Sequence, residues 1–330
     1  MSLRRRDLLG ALGAAALAPR ALAATATGDA VPFAPGDVVV GCTQLDDPND
    51  DHRGRGRILH YDGALRLKNT LWLDDTTHIV QGVRFGPDRT LWAFDAFSYT
   101  IARFGADGRR LPNFTRAPKR SFAHVTFHRD GRFFLGENFV GEKSRVPLRT
   151  TLPFMPGTKR LGDGHLFEFS AKGRLLREHA TAVHGGMGGF QGLNSSAITP
   201  DGRSIVYTSE SGPKVFRWDL VEARQLPNVV DAAENQGKFY FDLAFDAGQR
   251  LLVVAGTRID AFDLTGKLLR SYPLPRFGWA SMSTPVANHV YVSNFFTGDV
   301  ARLDLATGEV GPIVNTGVLK SVSGVAEFTA

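Results

Sequence analysis

Five stretches of this chain repeat one local pattern: HIVQGVRFGPDRTLWAFDAF at 78–97, FAHVTFHRDGRFFLGEN at 122–138, GLNSSAITPDGRSIVYTSES at 192–211, FYFDLAFDAGQRLLVVAG at 239–256 and, more loosely, WASMSTPVANHVYVSN at 279–294. Each copy is an apolar strand, a turn and a second apolar strand, which is how a propeller blade begins. Such a unit buries its two faces only against copies of itself, so the repeat demands one closed all-β ring rather than separate domains.

The last apolar residue of each first strand gives Phe85, Phe127, Ile198, Phe245, Val286 and, from SVSGVAEF near the end, Phe328, at spacings of 42, 71, 47, 41 and 42 residues. Six anchors predict six blades of four antiparallel strands. Period-two stretches such as RLDLATGEV and AFDLTGKLL, with Gly-containing turns, supply the third and outer strands. Residues 37–73 provide a second, third and outer strand without an inner one, while 320–328 is an inner strand with nothing after it. Pairing the two closes the ring and leaves no open sheet edge around it. The long 71-residue interval contains an insertion at about 139–164, a candidate lid or a surface loop.

Residues 1–23 fall outside this pattern, with a basic start, an apolar Ala/Leu/Gly run and a small-residue site at Ala21-Leu22-Ala23. Arg5-Arg6-Asp7-Leu8-Leu9 reads as a twin-arginine export signal, so the translocase of that route is an expected partner and the location is periplasmic or secreted. The apolar run is too short for a stable membrane anchor. The expected layout is a signal peptide at 1–23, a linker at 24–36 and one propeller at 37–330, working as a monomer. Removing 1–23 leaves 35 Lys and Arg against 32 Asp and Glu, a formal +3 in place of +6, so charge gives no reason to expect nucleic-acid binding. Cys42 is the single cysteine and lies in an apolar strand, which predicts a buried inert thiol and excludes an intrachain disulfide.

Polar residues gather where the inner strands start: Gln81, His124, Asn194, Asp242 and Ser283. In a closed ring these positions converge on the central channel and can surround one small ligand, or bind ordered water. His124 is the candidate general acid or base, because a neutral imidazole exchanges protons near neutral pH. The glycine-rich link VHGGMGGFQG at 183–192 adds His184 and Gln191 as candidate ligand contacts. Asp46, Asp47, Asp50 and Asp51 make an acidic loop without EF-hand spacing, and Trp92, Tyr99, Phe277 and Trp279 are either ligand contacts or packing.

VQGVRFGPDRTLWAFDAFSYTIARFGADGRRL resembles an NHL repeat, and NSSAITPDGRSIVYTSESGPKVFRWDL resembles the gluconolactonase, regucalcin and strictosidine-synthase-like propellers. In that group a divalent cation, often calcium, sits at the channel mouth on Glu, Asn and Asp side chains. The resemblance implies Asn194 as one ligand and Asp242 as a second, although Phe241 holds the register position of the aspartate. Gly324 and Val325 stand where the glutamate is sought, and Glu327 lies too deep in its strand. Two readings follow: a binding or scaffold propeller for a small molecule, glycan or protein at the channel-mouth face, or a divalent-metal-dependent lactonase-like hydrolase or lyase. The chain has no CxxCH haem motif and no G-x-S-x-G nucleophile elbow.

Overall fold

The computed structural model describes residues 30–48, 50–75, 82–140, 162–233 and 237–329. Their secondary structure is 24 strands and no helix, arranged as six four-stranded sheets. The inner strands are Gly324–Glu327 in blade 1, Gly82–Phe85 in blade 2, Phe122–Phe127 in blade 3, Ser195–Ile198 in blade 4, Leu243–Phe245 in blade 5 and Trp279–Met282 in blade 6. These are the six blades that the repeat predicts. Blade 1 joins the two ends of the chain, with Val38 opposite Glu327, Val39 opposite Ala326 and Val40 opposite Val325.

Four of the inner hairpins use one turn. Gly86, His128, Thr199 and Asp246 each donate an N–H to the carbonyl four or five residues on, and the left-handed position is filled by Arg89, Gly131, Gly202 and Gln249. Aspartates secure it locally: Asp130 and Asp201 each accept the N–H two residues ahead, and Asp246 the N–H of Arg250. Blade 6 lacks this chemistry. Its turn is the tight Val286–His289 pair, so Val286 lies beyond the inner strand, which ends at Met282.

Between blades the packing is dominated by apolar and aromatic side chains. Trp92, Phe94, Phe122, Phe133, Phe167 and Phe169 fill the space between blades 2 and 3, with Phe133 and Phe169 stacked at 5.1 Å. Leu252, Val254, Ile259, Trp279, Val290 and Val292 do the same between blades 5 and 6. Each large side chain so buried contributes about 1.5–3 kcal/mol. Trp92 and Trp279 are therefore core residues, and Cys42 is fully buried with its thiol pushed up to about 11 by desolvation.

One hairpin extends beyond the mouth side of the ring. In place of an acidic loop, the chain after Cys42 continues as a long hairpin, Val38–Asp47 against Asp50–Tyr61, paired as far as Asp47 and Asp50. The insertion lies largely outside the described residues, from 141 to 161. Its return is fixed by Glu137, whose buried carboxylate accepts the N–H groups of Asp163, Gly164 and His165 at 2.9–3.0 Å and faces Arg120 at 3.3 Å.

Candidate functional site

At the mouth, every blade contributes an inner strand or the residues just before it to one narrow cavity of about 80 Å³, whose polar lining is Arg84, His124, Asn194, Ser195, Glu210, Asp242, Ser281 and Ser323. In three of the six blades the chain is irregular at this level. The registers of blades 3 and 6 skip a residue between Phe122 and His124 and between Trp279 and Ser281. In blade 5, Val254 accepts from the N–H of Phe241 and donates to the carbonyl of Asp242, so two residues face one. That bulge brings Asp242 to the channel despite standing one position after the aspartate register.

The charges are unevenly partnered. Asp242 accepts the Ser195 hydroxyl and the N–H groups of Leu243 and Met282, the latter two at 2.8 Å. It thereby ties blades 4, 5 and 6 together. Burial raises its carboxyl above the usual range, and the positive charge of Arg84 opposes that rise. Arg84 donates through Nη1 to the Thr284 hydroxyl, while its buried Nε makes no hydrogen bond within the protein. Burial lowers its affinity for a proton, against the pull of Asp242. Glu210 has no cation to offset desolvation, which pushes its carboxyl up to about 6.

His124 is placed in this lining but is not poised as a proton carrier. Its Nε2 lies 3.1 Å from both the Thr126 hydroxyl and the Ser196 carbonyl. Burial, and then the charge of Arg84, hold it well below the usual histidine range. A neutral ring committed to a neighbouring blade is a structural hydrogen-bonding group at neutral pH. His128, farther along the strand, bonds the Gly202 carbonyl and Asp130.

Asn194 also lines the cavity, with its amide fully engaged. Its oxygen accepts the Glu210 N–H at 3.0 Å, and its nitrogen donates to Asn138 at 2.5 Å and to the Glu210 carboxylate at 3.1 Å. The cation implied by the resemblance does not fit these donors. Asn194 presents N–H rather than free oxygen to its acidic neighbour, Asp242 already accepts three hydrogen bonds, and among the described residues no three His, Cys, Asp or Glu side chains are grouped to hold a metal.

The other candidates are not brought into the cavity. Ser283 is fully buried, and its hydroxyl accepts the Tyr291 N–H. His184 and Gln191 stay with the glycine-rich link: His184 donates its N–H to Ser209, and the Gln191 side chain packs against Gly186 and Gly188. Gln81 lies outside the described residues. Arg84 and Glu210 also line the cavity, and sequence reasoning passed them over.

Beside the cavity stands an aromatic shelf. Phe277 and Phe296 are 44% and 48% exposed and stacked at 5.9 Å, and Phe296 meets Phe295 edge-on at 5.3 Å. Phe295 and Phe241 in turn line the cavity. Gly256 makes this approach possible, since a Cβ there would meet the Phe277 ring at 2.6 Å.

No protein-family model and no curated protein matches the chain. Among solved structures it is similar to a chain of a nidogen/laminin complex, at 12% identity over 88% of this chain and 98% of that one with a TM-score of 0.59. It is also similar to a protein of unknown function from Bacteroides caccae, at 14% over 90% and 100% with a TM-score of 0.60. A streptogramin B lyase matches at 12% over 88% and 91%, with a TM-score of 0.52. At these identities the likeness is one of fold alone.

Proposed function

We propose that the protein is an exported binding propeller that takes a small molecule or glycan at the channel mouth. The carrying observation is the stacked and exposed Phe277–Phe296 pair, which adjoins a polar cavity lined by all six inner strands or the residues just before them. A flat apolar face or a sugar ring covers the shelf, while hydroxyl or amide groups reach Glu210, Ser195 and Ser281. Exposed aromatic rings side by side otherwise cost solvation without return. Arg5-Arg6-Asp7-Leu8-Leu9 and the small-residue site at 21–23 support delivery of the folded chain to the periplasm.

A ligand-observed NMR screen of the chain from residue 24, with aromatic and oligosaccharide probes, tests this reading. Hits are expected to lose at least about ten-fold in affinity in Phe277→Ala and Phe296→Ala, as for aromatic anchors elsewhere. Hits indifferent to both substitutions would refute it. A hydrolase or lyase is the second reading, favoured by Glu210, whose carboxyl near 6 suits proton transfer. On that reading Glu210→Gln abolishes turnover and spares ligand binding. Weak or absent lactonase activity is the expected outcome.

A further inference from the structure

The geometry points to a second binding site, at the opposite end of the channel, for a small amphipathic carboxylate whose head group meets Arg84 and whose apolar body lies among the repeat anchors. The site is a vestibule of about 690 Å³, within the usual range for ligand pockets of about 300–1,000 Å³. All six anchors line it, and five of them, Phe85, Phe127, Ile198, Phe245 and Val286, are only half-buried. Four inner strands end on an apolar anchor and the other two are followed by one, leaving an unfilled ring of apolar surface where the blades splay apart.

The charge in this ring is one-sided. Its charged lining residues among those described are Arg84, Arg89 and Glu327. Glu327 is already paired with His289 at 2.8 Å, and Arg89 sits over the Phe328 ring at 5.1 Å. Arg84 is the one described residue that lines both this vestibule and the mouth cavity. Its Nε has no partner in the protein, and its opposite charge, Asp242, spends its oxygens on Ser195, Leu243 and Met282. A planar guanidinium with donors to spare at the floor of an apolar cup is suited to a carboxylate, which accepts two parallel N–H bonds. The apolar walls favour a hydrocarbon or aryl body over water.

Isothermal titration of the full chain with decanoate and with decanol tests the assignment. Saturable binding of decanoate is expected, at least about ten-fold tighter than decanol, because only the carboxylate gains charge-assisted bonds. Arg84→Met should bring decanoate down to the affinity of decanol and leave decanol unchanged. Ile198→Trp, which fills the vestibule from blade 4, should weaken both. If Arg84→Met does not fold, as judged by its melt, Arg84→Lys should fold and retain only part of the preference. Absence of saturable decanoate binding, equal affinities in the native protein, or a preference retained in Arg84→Met would overturn the assignment. So would decanoate binding that Phe277→Ala weakens and Ile198→Trp leaves intact, since the ligand would then sit at the mouth.

Discussion

The two ends of the channel are built from the same six strands and differ in almost every property. At the mouth three of the six blades bulge, side chains turn inward, and hydrogen bonds between blades hold Asp242, Asn194 and His124 in place. At the vestibule four of them end on Phe85, Phe127, Ile198 and Phe245, and the other two are followed by Val286 and Phe328, beside turns held by their own backbone. A bulge costs ladder pairing but re-aims a side chain, whereas an unbroken strand keeps its apolar alternation to the last residue. Polarity in this ring is thus set by local strand geometry rather than by which strand is used.

Deleting residues 318–330 breaks this comparison most completely, because the strand at Gly324–Glu327 walls both ends and closes blade 1. Loss of the cooperative thermal transition, followed by circular dichroism, is expected; an unchanged transition would remove the closure scheme. Asp242→Ala acts first on the mouth. It cancels three bonds to blades 4, 5 and 6 and the charge facing Arg84. A loss of about 2–3 kcal/mol in urea unfolding is expected, in line with hydrogen bonds to a charged group.

Glu210→Gln sharpens the contrast through pH. With the folded carboxyl raised from 4.5 to about 6, the native state holds its proton longer than the unfolded chain does, so stability falls as pH rises through that window. The substitution should abolish this decline and stabilise the protein at pH 7.5 by at most about 2 kcal/mol. Denaturant titrations at pH 4.5 and 7.5 report both effects. The smallest change is at the vestibule end. Gln249 holds φ at 62° where Gly131 and Gly202 fill the equivalent turns, so Gln249→Gly should relieve strain and stabilise by under about 1 kcal/mol, read as a small rise in melting temperature.

Most of the ring was legible because its signals are local. Apolar alternation, turn residues and spacing identify the blades one at a time, and the lone strand at 320–328 needs the partner that 37–73 supplies. The site was legible only in part. Asn194 and Asp242 line the mouth as expected, but Asp242 does so through a bulge that has no sequence signature. Arg84 sits one position before an anchor, where other repeats have the shorter Thr126, Ala197 and Ala244; that contrast was the available clue. Glu210 follows the second strand of blade 4, and its isolation from cations depends on three-dimensional neighbours. The hairpin at 38–61 and the packing of Trp92 and Trp279 were likewise decided by tertiary contacts.

The claim that separates this protein from a metal-centred catalyst is that its mouth binds ligand through protein groups alone. Elemental analysis of protein purified without chelator, alongside Asn194→Ala, tests it most directly. No stoichiometric divalent cation in either sample, and no thermal shift on adding calcium, is the predicted result. One cation per chain, lost in Asn194→Ala, would contradict it.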